Sequence, residues 1–282
     1  MALIKVKTPA KINLTLEMAG LIGGGYHAIK SIMSTINLYD FLSFNISDSD
    51  KNEIILSGNN PQIPYNEKNL VHKAIKLFCE KTNIGGKKFE VYIEKNIPVE
   101  AGLAGGSTNA AGTFYALNKF FNEPLNEKDL NELCAKLGSD LNFCLKGGCC
   151  LCEGRGEIIT PLNPVNLDIT LIKPKTFGIS AKEAYTKFDL IKNKPEPVNT
   201  DKLKKLIDKG NFDKNLLINH LETAVIGDYP ILREIKEQTG AMMSGSGPTM
   251  FTLTSKIHKT FDDNILVIEN LKTTDKGVET VS

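Results

Sequence analysis

The chain of 282 residues predicts an α+β fold in two parts. Three observations point there. Period-two strand patterns and helical patterns mix without strict alternation, glycine loops punctuate strand ends, and the pattern restarts after Pro161 and Pro164.

The first strand runs over residues 3–7. Beyond Pro9, Ile12, Leu14, Leu16 and Met18 alternate with Lys11, Asn13, Thr15 and Glu17, so Lys11 and Asn13 share one polar face. Strands follow around 32–37, 41–46 and 53–56, then a helix over about 68–81. Phe89, Val91 and Ile93 alternate with Glu90, Tyr92 and Glu94 in a further strand. It feeds the loop Ile97-Pro98-Val99-Glu100-Ala101-Gly102-Leu103-Ala104-Gly105-Gly106-Ser107-Thr108 and a helix on which Ala110, Phe114, Leu117 and Phe121 recur. Ser107 and Thr108 are its capping candidates.

Asn126 caps the next helix, which carries Leu130, Leu133, Cys134 and Leu137 and stops at Gly138. Asp140 opens a short helix, and residues 148–152 form a strand. We place the boundary between parts 1–164 and 165–282. The second part opens with a strand over 168–173. A polar, proline-bearing stretch over 192–199 leads into two or three helices, the last running from Asp228-Tyr229-Pro230 to Gly240. Two apolar strands then flank Ser244-Gly245-Ser246-Gly247-Pro248.

Composition narrows the function. With 41% hydrophobic and 24% charged residues the chain is ordinary globular material, and a net charge of +1 offers no basic field for nucleic acid. No apolar run reaches membrane-spanning length and no signal-peptide pattern is present, so the expectation is a cytoplasmic protein with no membrane partner. Of six cysteines, Cys144, Cys149, Cys150 and Cys152 crowd together, but without the paired spacing of a zinc site. They read as small apolar residues of a strand, and the metal ligands are left unassigned.

The 97–108 loop reads as a phosphate cradle. Glycines permit close backbone approach, and the helix N-terminus offers unpaired N–H groups and a positive dipole end. It lacks the lysine of a P-loop and the spacing of a dinucleotide fingerprint, and a bare turn is the alternative reading. Lys11 fits a solvated lysine as well as a reactive one. Asp140 fits an N-cap as well as a catalytic group.

Taken in order, Pro9-Ala10-Lys11-Ile12-Asn13-Leu14, Gly25-Tyr26-His27, residues 98–111, Gly138-Ser139-Asp140 and Met243-Ser244-Gly245-Ser246-Gly247-Pro248-Thr249 resemble the signature elements of the GHMP kinases, over about residues 8–254. That resemblance implies a two-domain fold, with a ribosomal-protein-like amino-terminal α+β domain and a ferredoxin-like carboxy-terminal domain. It implies ATP and Mg²⁺, with residues 98–108 around the ATP phosphates and Ser107 helping the metal. Asp140 would take the proton of an acceptor hydroxyl while Lys11 pairs with it and stabilises the transferred group. Ala-Lys-Ile-Asn-Leu and Gly-Tyr-His narrow the acceptor to a cytidyl diphosphate sugar alcohol of isoprenoid precursor synthesis. Tyr26, His27 and Tyr185 would contact its base, and Asn13 its diphosphate. A monomer or weak homodimer is expected. Gly24, Ala104 and Asn142 depart from the family pattern, where Asp, Gly and Pro are frequent.

Overall fold

The computed structural model describes residues 2–281. The amino-terminal part contains β1 (Ala2–Asn13), β2 (Thr15–Ile22), β3 (Tyr26–Asp48), β4 (Glu53–Gly58), α1 (Leu70–Thr82), β5 (Lys87–Glu94), α2 (Gly105–Phe120), α3 (Glu127–Leu137), α4 (Leu141–Lys146), β6 (Cys149–Glu153) and β7 (Ile158–Pro161). The chain continues with β8 (Asp168–Pro174), α5 (Ala181–Asp189), α6 (Asn199–Ile207), β9 (Ile218–Asn219), α7 (His220–Val225), α8 (Pro230–Thr239), β10 (Met242–Met243), β11 (Met250–Thr252), β12 (Ile265–Thr274) and β13 (Glu279–Thr280).

β3 organises the molecule. At 23 residues it pairs antiparallel with β1, β2, β5, β6 and β12, where the sequence predicts two short strands. The strand passes through without a turn because Pro9 pairs with Tyr39 and Ala10 with Ile36, which leaves residues 37 and 38 as a bulge. Proline, lacking an N–H, is tolerated at such a position. Beyond the bulge the even residues of β1 change company. Val6 lies in the core beneath α1 and α2, whereas Ala10 and Ile12 join a second core with Ile97, Leu103, Leu171 and Leu203.

The expected link between parts falls between β7 and β8, and two later strands cross back over it. β13 pairs with β1, Val6 opposite Thr280, and β9 pairs parallel with β2, Leu16 opposite Asn219. β12, a strand the sequence reading leaves unassigned, bridges β8 and β3. Among the described residues no helix is long and apolar enough to cross a membrane.

The alternation over residues 11–18 does not divide core from solvent. Lys11, Asn13, Thr15 and Glu17 are all buried, because the elements after β8 pack onto that polar face. Glu17 accepts from Asn199 N at 2.9 Å and Thr200 N at 2.8 Å, so a carboxylate of β2 satisfies the first amides of α6, whose own N-cap residue Val198 makes no side-chain bond.

Candidate active site

A cleft of about 540 Å³ opens between the two parts, within the ordinary size of small-molecule sites. Its wall carries Lys11, Asn13, Asp140, Tyr185 and Gly245 together with residues 98–102 and 104–107. Of the predicted cradle, Leu103 and Thr108 face inward and are buried, and the Leu103 carbonyl accepts from Lys11 N at 3.2 Å.

The cradle geometry follows from its backbone. Gly102 has φ +72° and Ala104 φ +58°, both left-handed, and Ala104 rather than Ser107 or Thr108 occupies the N-cap of α2. The cap expectation fails because α2 begins at Gly105, which puts both hydroxyl residues inside its first turn. No side chain caps α2, so its leading amides are free of side-chain partners. The helix is drawn against β1 by Gly112, where a Cβ would come within 2.4 Å of Thr8 Cγ2, and by the Thr8 hydroxyl donating to Asn109 Oδ1 at 3.0 Å.

The second glycine loop locks onto the first. A Cβ on Gly102 would lie 2.1 Å from Ser244 O, and Ser244 Oγ donates to Gly102 O at 3.2 Å. Asn219 Nδ2 donates to Met243 O at 2.7 Å and to Gly245 O at 2.9 Å, and Met243 N donates to Glu222 Oε2 at 2.6 Å. Asn219 and Glu222 thus support the site, and no motif in the sequence announces them.

Lys11 is 3% exposed, which removes the solvated-lysine alternative. Its ammonium donates to Asn13 Oδ1 at 2.6 Å and stands 3.8 Å from Asp140 Oδ2; Asn13 in turn donates to Ser31 Oγ at 2.9 Å. A Cβ at Gly245 would lie 3.1 Å from that nitrogen, so the second loop closes directly over it. Asp140 precedes α4 with helical φ −84° and ψ −9° and makes no side-chain cap bond. The carboxylate is therefore not engaged as a cap and remains available to a ligand.

Lys95, missed in the sequence, also lines the cleft. It donates to Asp40 Oδ2 and to Ile97 O, both at 2.6 Å, and a Cβ on Gly105 would come within 2.7 Å of its nitrogen. Burial pulls its pKa below the ordinary lysine value, against the opposing Asp40 charge. Asp40 also accepts from Asn96 N and Ile97 N at 2.7 Å, which pins the start of the cradle. The lysine absent from the loop sits beneath it, paired with a carboxylate.

Tyr26 and His27 stand outside the cleft wall. Tyr26 is 55% exposed with Arg155 over its ring at 5.4 Å. His27 stacks on Tyr185, centroids 5.1 Å apart, and its Nε2 meets Asp189 Oδ1 at 2.8 Å. Burial, aided by the Asp140 charge, pushes the Tyr185 phenol up to about 12, so the ring presents a neutral face. All six cysteines are free and buried, with burial raising Cys134 and Cys149 to about 12. Among the described residues no three His, Cys, Asp or Glu side chains converge as metal ligands.

An amide cradle at a helix N-terminus, a lysine–aspartate pair and a covering glycine loop on one cleft define a phosphotransferase site. Comparison with known proteins agrees. Residues 69–148 match the family described as GHMP kinases N terminal domain. The 4-diphosphocytidyl-2-C-methyl-D-erythritol kinase of Clostridium botulinum is 44% identical over 254 residues, 87% of this chain and 89% of that one. A crystal structure of 4-(cytidine 5'-diphospho)-2C-methyl-D-erythritol kinase superposes with TM-score 0.73 at 26% identity, covering 89% and 90% of the two chains. Homoserine kinase from Cytophaga hutchinsonii shares the fold, with TM-score 0.76 at 19% identity over 100% and 98%. The chain belongs to the GHMP kinases and, within them, to the 4-diphosphocytidyl-2-C-methyl-D-erythritol kinase family. It is an enzyme, and ATP is its co-substrate.

Proposed function

We propose that this chain transfers the γ-phosphoryl group of ATP to the 2-hydroxyl of 4-diphosphocytidyl-2-C-methyl-D-erythritol, a step toward isoprenoid precursors. The observation that carries the reading is the Lys11–Asp140 pair on the same cleft wall as the amide cradle. Phosphoryl transfer depends on alignment and charge neutralisation more than on covalent help from the protein. The acceptor oxygen bonds to the γ-phosphorus as the bond to the β–γ bridging oxygen breaks, the hydroxyl proton passes to Asp140, and ADP leaves. Lys11, fixed by Asn13, stabilises charge on the moving group.

Within residues 98–108 the leading amides of α2, at Gly105, Gly106 and Ser107, face the ATP phosphates, while Leu103 and Thr108, whose N–H is spent on Ala104 O at 2.8 Å, contribute packing beneath them. The Ser107 hydroxyl, which lines the cleft and does not cap α2, is a hard oxygen donor and would be the side chain to help hold Mg²⁺. A metal held there would supply charge neutralisation to the transferred phosphate. Tyr185 offers a stacking face for the cytosine, worth about 1–3 kcal/mol. His27 stacks on Tyr185 from the β2–β3 hairpin, which also carries Tyr26, and Asn13 lines the same cleft, within reach of the acceptor's diphosphate in this reading.

The test is turnover. Purified protein with Mg²⁺ and ATP is offered the cytidyl acceptor, mevalonate, homoserine and galactose, and ADP release is followed. We expect release with the cytidyl acceptor alone. Turnover of another alcohol in its place overturns the assignment.

A further inference from the structure

The acceptor proposed above carries a diphosphate, and its hydroxyl must reach Asp140. The cations on the cleft wall are Lys11, Lys68, Lys95 and Arg155. Lys95 is neutralised by Asp40 and Lys11 is committed to Asn13 and Asp140, while Lys68 lies with Asn69 and Leu70 just ahead of α1. Arg155 is the cation that adjoins the Asp140 loop. Its turn packs there, since a Cβ on Gly156 would meet Ser139 O at 3.5 Å.

The turn is built to hold a side chain in one place. Gly154 and Gly156 flank Arg155 at φ +70° and +121°, where other residues are strained. Ile29 N donates to Gly154 O at 2.8 Å, and Arg155 N donates to Glu157 Oε2 at 2.6 Å. The guanidinium lies 5.4 Å from the Tyr26 ring centroid. Its Nη2 donates to Ala135 O at 3.3 Å and its Nε reaches Glu157 Oε1 only at 3.5 Å, the outer limit of such a bond. A guanidinium has five N–H donors, so several of its hydrogens remain for a ligand on the cleft side. Planar forks of this kind match phosphate oxygens.

We propose that Arg155 binds the diphosphate of the acceptor, with Tyr26 steadying the plane of the guanidinium. The site takes a nucleoside diphosphate and rests on the reading of the function given above. Cytidine and CDP, titrated calorimetrically with the nucleotide site saturated by ADP and Mg²⁺, separate the base from the diphosphate.

For Arg155→Ala we expect CDP affinity to fall by about tenfold or more, the loss of one or two charge-assisted hydrogen bonds, with cytidine affinity unchanged. The KM for the cytidyl acceptor should rise by the same factor, while kcat and the KM for ATP stay within about twofold. Arg155→Lys should recover part of the CDP affinity, since it keeps the charge without the fork. Equal weakening of cytidine and CDP, or no change in either, overturns the proposal. Failure of the wild-type enzyme to turn over the cytidyl acceptor overturns the function instead, a result the variant kinetics do not mimic.

Discussion

Lys11 Nζ stands 3.8 Å from Asp140 Oδ2 and is tethered 2.6 Å from Asn13 Oδ1, so the position of the ammonium is set before any ligand arrives. A general base contributes about 10²–10⁴ in rate. Asp140→Asn and Lys11→Met should each lower kcat by at least about a hundredfold while the dissociation constant for ATP, read by calorimetry, changes little. Near-normal turnover in Asp140→Asn would remove that carboxylate from the chemistry.

The two glycine loops are in backbone contact, and this makes Gly102 and Gly106 opposite cases. Gly102 has φ +72° and a Cβ there would overlap Ser244 O at 2.1 Å, whereas a Cβ on Gly106 meets only Leu70 Cδ1 at 3.6 Å. Gly102→Ala should cost about 2 kcal/mol or more in urea unfolding. Gly106→Ala, in the first turn of α2, should gain about 0.5–1 kcal/mol. Its methyl nonetheless stands at the mouth of the cradle, so the KM for ATP should rise. Unchanged KM in Gly106→Ala would mean that the phosphates do not approach that amide.

Much of this site was readable in residue order. The glycines of the cradle, the Lys11 and Asn13 face, Asp140 after Gly138 and the Ser-Gly-Ser-Gly-Pro loop each demand a backbone or a charge that local sequence displays. What local sequence hides is the partner across the fold. The alternation over residues 11–18 reads as half exposed because nothing nearby says that the second glycine loop will close over Lys11 or that α6 and α7 will pack on β2 and cover Glu17. Lys95 carries no local signal because its carboxylate, Asp40, comes from a different strand. Arg155 sits in a Gly-Arg-Gly turn whose place beside Ser139 depends on tertiary packing. The sequence predicts a break over 38–40 where β3 runs on with a bulge at 37 and 38, because a bulge and a turn look alike in sequence. The run Ile265-Leu266-Val267-Ile268 is by contrast a local β signal, and it opens β12.

Asp40 and Lys95 are both almost fully buried, and the Asp40 carboxylate also accepts two backbone amides at the start of the cradle. Removing one member of such a pair leaves an uncompensated charge, at a cost of about 3–5 kcal/mol. Asp40→Ala should therefore destabilise strongly in guanidinium unfolding and weaken ATP binding. Lys95→Met added to Asp40→Ala should restore part of the loss, because the stranded ammonium is gone. Strict additivity of the two changes would show that they do not act as a pair.

His220 joins the hairpin that carries Tyr26 and His27 to α7. Its Nδ1 accepts from Met18 N at 3.1 Å, its ring stacks on Phe188, and its Nε2, 3.9 Å from Glu17 Oε1, has no hydrogen-bond partner among the described residues. Burial holds its pKa below the ordinary 6.5, outweighing the Glu17 charge that works the other way. The neutral ring is thus the folded form, and protonating Nδ1 would set two donors against each other at Met18. With the folded value depressed, the unfolded chain binds the proton first. The contribution is complete above about pH 6.5 and is lost as pH falls from there toward the lower folded value. Urea midpoints should therefore drop between about pH 7.5 and pH 5.5, and His220→Gln, which keeps an acceptor without titrating, should flatten that drop. Parallel pH profiles for the two proteins would place the acid sensitivity elsewhere in the fold.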